Sequence, residues 1–448
     1  MSDLLSIGSS AVSAYRSALA AIGENVANAE TPGFSRRTVV MRQATNAGAP
    51  DPIYRENMSF GGVNAAAVGR AWDTFLAADA RGALSAAEKS GVRQQWLGRI
   101  EAAFGDGPAA VGGAITGFFN AATGLAGDPG DAMGRSAMLL SLEDVGAAFR
   151  ASADALSRIT GGISEAAKLG VDAVNGALAA LHKVNGSIRM NPAGGTARAA
   201  LEDERDRLID SIAAHIGIEA RIAGDGTATL ALADATGTFL VGPSGAGFIS
   251  FTASTDGRLA FRLSAGGAVS PLPIGGGSLA GLAEAASATA DRRAELDALA
   301  RDFADAVNGW SAAGRDANGD AGIPLVDAPG AGGFRVLVSD PERIPAASAD
   351  GRANGNLLAL DGVRDQGGFE SRWTGIVAGN GQQLAAAKAE AAAAGRWRDQ
   401  SFAALDRVTG IDLDFEAAEL LRYQQAYNGS AKIIQVARET VKTILDLF

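Results

Sequence analysis

The apolar positions at the two ends of the chain repeat every seven residues. One repeat runs from Leu5 to Val26, and the other runs from Leu413 to Phe448. Such repeats are typical of helices that pack along another helix, so we expect the terminal helices to pair as a coiled coil. The predicted interface positions are Leu5, Val12, Tyr15, Leu19, Ile22 and Val26 in the first repeat, and Leu413, Leu420, Tyr427, Ile434, Val441, Leu445 and Phe448 in the second.

Two intermediate positions of the second repeat are polar. Gln424 and Arg438 stand where apolar residues would continue the pattern. Buried polar residues at such positions usually cost stability and fix the register of the two helices. We therefore expect an imperfect helix pair within the subunit.

The pattern between the ends is mostly helical. It predicts helices over 71–104, 109–126, 131–190, 197–216, 278–311 and 380–408, and Gly161 and Gly162 could interrupt the longest of them. Short strands are expected near 35–41 and 62–70, a long polar loop over 44–62, and mixed turns and strands over 314–378. Apolar and polar residues alternate between 218 and 263, which is typical of short antiparallel strands.

These elements predict a mainly α fold with an inserted small β domain. The N-terminal helix and an extended segment occupy 1–43, and the C-terminal helix occupies 409–448. A long helical bundle domain is expected in two parts, 44–217 and 276–408, with an antiparallel β domain over 218–275 between them.

Composition excludes several classes of partner. The 39 basic and 50 acidic residues give a net charge of -11, which argues against nucleic acid or an anionic membrane as the main partner. The chain has no cysteine, so disulfides and thiolate chemistry are excluded. Asp3 replaces the basic region of a secretory signal, and no stretch is apolar enough to span a bilayer, so we expect neither a cleaved signal peptide nor a membrane segment.

The residues that could bind a metal lack the required spacing. His182 and His215 lie in separate helical patterns, and we expect both to be structural. The segment from Asp316 to Asp320 resembles the start of a calcium loop, but its glycine is fourth instead of sixth and the twelfth residue is Asp327. A turn is the expected structure there, with no metal and no cofactor.

Charged clusters offer no clear catalytic arrangement either. Asp203, Arg205 and Asp206 fit a salt-bridged, solvated helix face. Arg36 and Arg37 could bind an anion, but a solvated strand edge is the simpler interpretation. Since no phosphate-binding loop or nucleophile elbow is present in the sequence, we do not expect an enzyme.

Two motifs resemble those of a known family. Asn25-Val26-Ala27-Asn28 followed by Thr31-Pro32-Gly33-Phe34 is similar to the N-terminal motif of the axial proteins of the bacterial flagellum. A C-terminal stretch with Gln424, Gln425 and Ala426 before Tyr427 is similar to the family's C-terminal signature. Segments within 62–76, 118–135 and 201–209 resemble the members of this family that join hook to filament.

The resemblance implies a structural, non-enzymatic subunit. Members pack their terminal helices into an inner coiled-coil tube, follow it with a mainly helical domain, and point a β domain outward. The implied partners are further copies of the chain, the hook protein, the second junction protein and an export chaperone that binds the C-terminal helix. The implied location is the extracellular flagellum, reached through the flagellar type III export apparatus.

Two alternatives stay open from the sequence. A hook or rod protein shares the terminal motifs, although the segments at 118–135 and 201–209 speak against it. A secreted hydrolase would need converging carboxylates on the β strands, which offer few.

Overall fold

The structure is a computed structural model that describes residues 2–44, 61–105, 107–233, 239–243 and 245–446. The predicted loop over 44–62 lies largely outside these ranges. The predicted interface residue Phe448 lies wholly outside them. The helices within them are α1 Ser2–Ala27, α2 Thr74–Phe104, α3 Val111–Gly127, α4 Ala132–Met190, α5 Thr196–His215, α6 Gly277–Ala313, α7 Gly355–Gly367, α8 Phe369–Thr409 and α9 Leu413–Leu445.

The strands of the described residues form five small antiparallel sheets. A hairpin of β1 and β2 lies next to α1, and sheets with the orders β3-β4-β5-β6 and β7-β8-β9 form the insertion. The strands are β1 Arg37–Gln43, β2 Val63–Arg70, β3 Ile218–Ile222, β4 Ala228–Leu232, β5 Phe239–Gly242, β6 Gly245–Ala246, β7 Phe248–Ala253, β8 Leu259–Ala265, β9 Ala268–Pro271, β10 Gly314–Arg315, β11 Val326–Asp327, β12 Arg335–Val336 and β13 Ala347–Ser348. The predicted mainly α fold with a small β insertion is confirmed.

Asparagines on α4 attach the inserted strands to the helical body. The Asn185 side chain exchanges two hydrogen bonds with the backbone of Ala228, at 2.8 and 2.9 Å. The Asn175 side chain does the same with Ile249, at 2.8 and 2.7 Å. A side-chain amide presents one donor and one acceptor, as a strand backbone does, so it satisfies strand groups that face a helix.

The core of the helical body is a cluster of phenylalanines. Phe303 from α6 packs edge-to-face on Phe118 of α3 and Phe369 of α8, at centroid distances of 5.7 and 5.3 Å. Phe149 of α4 stacks on Phe334 at 5.4 Å. These rings are fully buried, and such pairs add directional packing energy to their burial.

Two predictions about the helices are wrong. Helix α4 runs through Gly161 and Gly162 without a break, and a Cβ at Gly162 would lie 2.9 Å from the Trp96 ring, so this glycine serves packing. Residues 355–378, predicted as turns and strands, are helical, because Phe369, Trp373 and the apolar residues that follow bury one face of α8.

The terminal helices pair, as the repeats predict, and their orientation is antiparallel. Tyr15 and Tyr423 are in ring contact at 6.1 Å, and Gly8 faces Ile434. The buried or half-buried seam of α9 follows a regular 4-3 spacing through Glu416, Leu420, Tyr423, Tyr427, Ser430, Ile434, Ala437 and Val441. The facing positions on α1 are Gly8, Ala11, Tyr15, Ala18, Ile22 and Asn25, all buried except the half-buried Tyr15.

The predicted intermediate positions are therefore displaced. Gln424 and Arg438 are exposed and do not interrupt the row of residues that contacts α1. The intermediate positions of that row lie three residues after Leu420, Tyr427 and Ile434, whereas the sequence pattern predicts them four residues after. Small residues occupy much of the α1 seam, which lets the two helix backbones approach closely. A sequence pattern that is read from large apolar side chains does not identify this face of α1, because glycine and alanine form much of it.

The other predicted positions lie at the edges or ends of the pair. Leu5, Val12 and Leu19 are half-buried, and Val26 is exposed. Leu413 is 55% exposed and Leu445 is 68% exposed. Since Gly8 already faces Ile434, the described part of α1 does not extend far enough to cover Leu445.

Gly8 is the position at which a side chain would separate the pair. A Cβ there would lie 2.6 Å from Cγ1 of Ile434, so we expect Gly8→Val to push the helices apart and to reduce amide protection in both. Gly23→Ala on the same helix is the matched control, since its Cβ meets nothing within 4 Å and alanine favours the helix by up to about 1 kcal/mol. Equal protection in the two variants, measured by amide hydrogen exchange, would contradict this packing.

Candidate functional site

The N-terminal family motif forms the joint between the terminal helix pair and the helical body. Thr31 closes a turn after α1, with its backbone N–H bonded to the carbonyl of Asn28 at 2.9 Å. Gly33 takes a φ of 81°, which favours glycine, and the chain then enters β1. Phe34 packs under the Arg37 guanidinium at 4.6 Å, and Pro32 is exposed on the turn.

Asn25 fastens the end of α1 to the first strand. Its side chain accepts from the Arg37 N–H at 2.8 Å and donates to the Arg37 carbonyl at 2.9 Å. The same amide donates to the Glu416 carboxylate of α9 at 3.1 Å. With no exposed surface, Asn25 is a buried polar group whose hydrogen-bonding capacity is used within the joint.

Two arginines face each other across the β1–β2 hairpin. Arg37 and Arg70 are direct cross-strand partners, and each side chain is only 5% exposed. Like charges at such positions repel. Asp203 of α5 lies between them, 3.3 Å from Arg37 Nη2 and 2.8 Å from Arg70 Nε, although the Arg70 contact is not aligned as a hydrogen bond.

A second carboxylate of α5, that of Asp206, forms ion pairs with three guanidinium groups. Asp206 lies 2.9 Å from Arg70, 3.3 Å from Arg81 of α2 and 2.9 Å from Arg205. Arg81 also reaches Asp210 at 2.6 Å. The acidic residues at 203, 206 and 210 share one face of α5, so a single helix face neutralises arginines from β1, β2 and α2.

Burial shapes the electrostatics of this cluster. Desolvation raises the pKa of Asp203, although the charges of Arg70 and Arg37 oppose the shift. Desolvation also raises the pKa of Asp210, against the effect of Arg81. Trp72 lies between two guanidinium groups, 4.9 Å from Arg70 and 5.7 Å from Arg81. The aromatic ring thereby helps to stabilise charges that have little water around them.

Two charged segments that the sequence predicts to be solvated are largely buried. Arg37 is buried and Arg36 is half-buried in ion pairs, so these two arginines do not lie on a solvated strand edge. Arg205 and Asp206 are each 3% exposed, so this part of α5 is an internal interface instead of a solvent face. The ion pairing itself was correctly predicted. The overlooked signal was the spacing of the acidic residues, which places them on one side of the helix.

The C-terminal motif lies elsewhere, on the terminal pair. Gln424 and Gln425 are exposed and Ala426 is half-buried, so these residues do not reach the joint. Beside the joint, a cleft of about 400 Å³ opens between the motif turn, Trp72 and the end of α8, where Phe402 and Asp406 line it.

The segment that resembles a calcium loop forms a turn. Asp316 accepts from the backbone N–H groups of Asn318 and Asp320, both at 2.9 Å, and pairs with Arg343 at 3.1 Å, which is the predicted turn. The described residues contain no group of three or more histidine or acidic side chains that could hold a metal ion. No helix within the described ranges is long and apolar enough to cross a membrane.

His215 is half-buried, with Nδ1 2.8 Å from the Ser278 hydroxyl. Burial lowers its pKa below the ordinary value of 6.5, although Glu88 opposes the shift. Below pH 6.5 the histidine of the unfolded chain takes up a proton more readily than His215 of the folded chain. The free energy of unfolding should therefore fall as the pH decreases from 6.5.

We expect His215→Gln to weaken this pH dependence. Urea denaturation of both proteins between about pH 5 and pH 7, where histidine titrates, measures the difference. The same change in unfolding free energy with pH in both proteins would show that His215 does not contribute.

Asp206 should be the most costly carboxylate of α5 to remove. We expect Asp206→Asn to lower the free energy of unfolding by about 3–5 kcal/mol, because it leaves buried guanidinium groups underneutralised. The control on the same helix, Glu204→Gln, breaks an exposed pair with Arg207 and should cost less than about 1 kcal/mol. Similar losses in chemical denaturation would contradict the assignment of Asp206 as the centre of the cluster.

Comparisons with known proteins match this architecture to one family. Residues 97–326, just over half of the chain, match the helical domain of the flagellar hook-associated protein FlgK. Residues 5–34, which hold α1 and the motif turn, match the flagella basal body rod proteins. The family match covers the end of α2, helices α3 to α6 and the inserted strands, and the second match covers most of α1 and the motif turn.

The chain also resembles proteins named flagellar hook-associated protein 1. It is 26% identical to the protein of Salmonella typhimurium over 72% of this chain and 59% of that protein, and thus spans less than two thirds of that relative. It is 24% identical to the protein of Bacillus subtilis over 97% of this chain and 96% of that protein.

A solved structure shares the fold. The flagellar hook junction protein FlgK from Burkholderia pseudomallei aligns with a TM-score of 0.50 and 21% identity, over 56% of this chain and 46% of that one. At this identity the likeness concerns the fold alone. On the match of its helical domain, the chain belongs to the FlgK family of flagellar hook-associated proteins.

Proposed function

We propose that this chain is a structural subunit of the bacterial flagellum that joins hook to filament and assembles through its terminal helices. The family supports this function, and the observation that carries it is the uncovered outer face of α9. Outside the seam with α1, Leu421 is 59% exposed, Val436 is 51% exposed, and Ile433 and Ile444 are also exposed. Apolar residues concentrated on one exposed helix mark an interaction surface.

The outer face of α9 and the exposed ends of the pair form the proposed contact with neighbouring axial subunits. Leu413 and Leu445 are the members of the predicted interface with most exposed surface on α9. Seam residues such as Ile22, Tyr427 and Ile434 hold the pair together within the subunit and present this face. The proposed partners are further copies of the chain, the hook protein and the second junction protein.

The proposed organisation follows the sequence boundaries. The terminal pair, from 1–43 and 409–448, is the inner coiled-coil domain, and the helical domain from 44–217 and 276–408 surrounds it. The β domain over 218–275 is directed outward. In this proposal the chain leaves the cell through the flagellar type III apparatus, without a cleaved signal peptide, and an export chaperone covers α9 before assembly.

Aspartate on the outer face should block assembly without unfolding the subunit. In a strain lacking the gene, we expect the unmodified chain to restore filaments and the double variant Leu421→Asp with Val436→Asp to leave hooks that shed flagellin into the medium. Both side chains are exposed in the isolated chain, so circular dichroism and the melting temperature should change little.

The control adds a negative charge at an exposed polar position of α9. Thr440→Asp should still support filament growth. Normal filaments with the double variant would show that this face is not needed for assembly. Loss of hooks in the deletion strain itself would contradict the junction function and favour a hook or rod component.

A further inference from the structure

Arg36 spans the connection between α8 and α9. Its backbone N–H donates to the carbonyl of Thr409, the last residue of α8, at 2.9 Å. Its side-chain Nε donates to Glu416, in the first turns of α9, at 2.6 Å. Only residues 410–412 separate the two helices. One residue of the N-terminal segment therefore holds both sides of the link that carries the terminal pair.

Glu416 is the point at which α9 is bound to the body. Its carboxylate has no exposed surface and receives hydrogen bonds from Arg36 and, at 3.1 Å, from Asn25. Within the described residues, the hydrogen bonds and ion pairs that α9 makes beyond α1 and its own cap residue Asp412 are those of Glu416 with Arg36. The ring of Phe415 lies 4.7 Å from the same guanidinium, on the adjacent position of the helix.

The strength of this contact follows from its burial. An ion pair whose carboxylate is removed from water is costly to break, since the charge that remains has lost its solvation. Arg36 is itself held through its backbone, because its carbonyl accepts from Ala71 at 2.8 Å. The side chain thus extends from a backbone that is held on both sides just before β1, and it can transmit the orientation of the body to α9.

We infer that Glu416 is a positioning residue that sets the angle between the terminal helix pair and the helical body. The inference rests on the proposed function in one respect, namely that the pair must meet neighbouring subunits at a defined angle. Its physical content is independent of that function. Without the Arg36–Glu416 contact, the pair should remain intact and swing about residues 410–412.

The absence of cysteine in the natural chain allows this angle to be measured with spin labels. One label pair, at Lys183→Cys on α4 and Lys432→Cys on α9, reports the position of the pair relative to the body. A second pair, at Ser9→Cys and Lys432→Cys, reports the separation of α1 and α9. All three positions are exposed. Double electron–electron resonance on the purified full chain gives both distance distributions.

The variant Glu416→Gln removes the charge and keeps an acceptor for Asn25. Lys432 lies about 24 Å along the helix from Glu416, so a 20° swing would move its label by about 8 Å. We expect the distribution from Lys183 to Lys432 to broaden by about this distance, and the distribution from Ser9 to Lys432 to stay narrow. The control Glu419→Gln breaks only the pair with Arg422 within α9 and should leave both unchanged.

Three results would overturn the inference. Two unchanged distributions in Glu416→Gln would show that other contacts set the angle. Broadening of both would show that Glu416 holds the helices together instead of orienting them. Equal broadening in Glu419→Gln would remove the specificity of the position. Since the distances are measured on the isolated chain, they test the role of Glu416 independently of the proposed role at the flagellar junction.

Discussion

Three buried arginines at the joint need carboxylates from another part of the chain. Arg37, Arg70 and Arg81 have side chains that are 5, 5 and 8% exposed, and two of them face each other across a hairpin. An uncompensated buried charge is strongly destabilising, so the hairpin can pack only where α5 supplies Asp203 and Asp206. The placement of the terminal segments on the helical body depends on these ion pairs.

The same constraint links residues far apart in the sequence. The motif turn orients Asn25 and the start of β1. Arg36 directly precedes β1 and Arg37 begins it, and their side chains reach α9 and α5 respectively. A family motif that lacks catalytic chemistry thus has a clear physical task. It converts the end of one helix into a strand and brings charged groups to the place where the terminal pair meets the body.

The sequence predicts the long elements well and the contacts between them poorly. Heptad spacing identifies α1 and α9 as partners, since large apolar residues at fixed intervals can be recognised in the sequence. The seam itself was displaced, because Gly8, Ala11 and Ala18 pack closely without standing out as apolar. Local signals cannot show that a glycine faces a ring across the fold, as Gly162 faces Trp96.

The charged residues show the same limit more strongly. Arg37 and Asp206 lie in polar stretches that are typical of solvated surfaces, and their burial depends on partners 166 and 136 positions away along the chain. A helix face with acids at 203, 206 and 210 indicates that something basic covers it, but the sequence does not say what. The predicted structural, non-enzymatic character rests on the family, whose matched segment, residues 97–326, includes helices α3 to α6 and the inserted strands.

The central claim is that buried charge pairing attaches the terminal segments to the helical body. A double-mutant cycle between Arg70 and Asp206, with each replaced by an uncharged residue alone and together, measures it most directly. A coupling energy above about 2 kcal/mol is the result predicted for a buried, hydrogen-bonded pair. A coupling below about 0.5 kcal/mol, as for an exposed surface pair, would contradict the account.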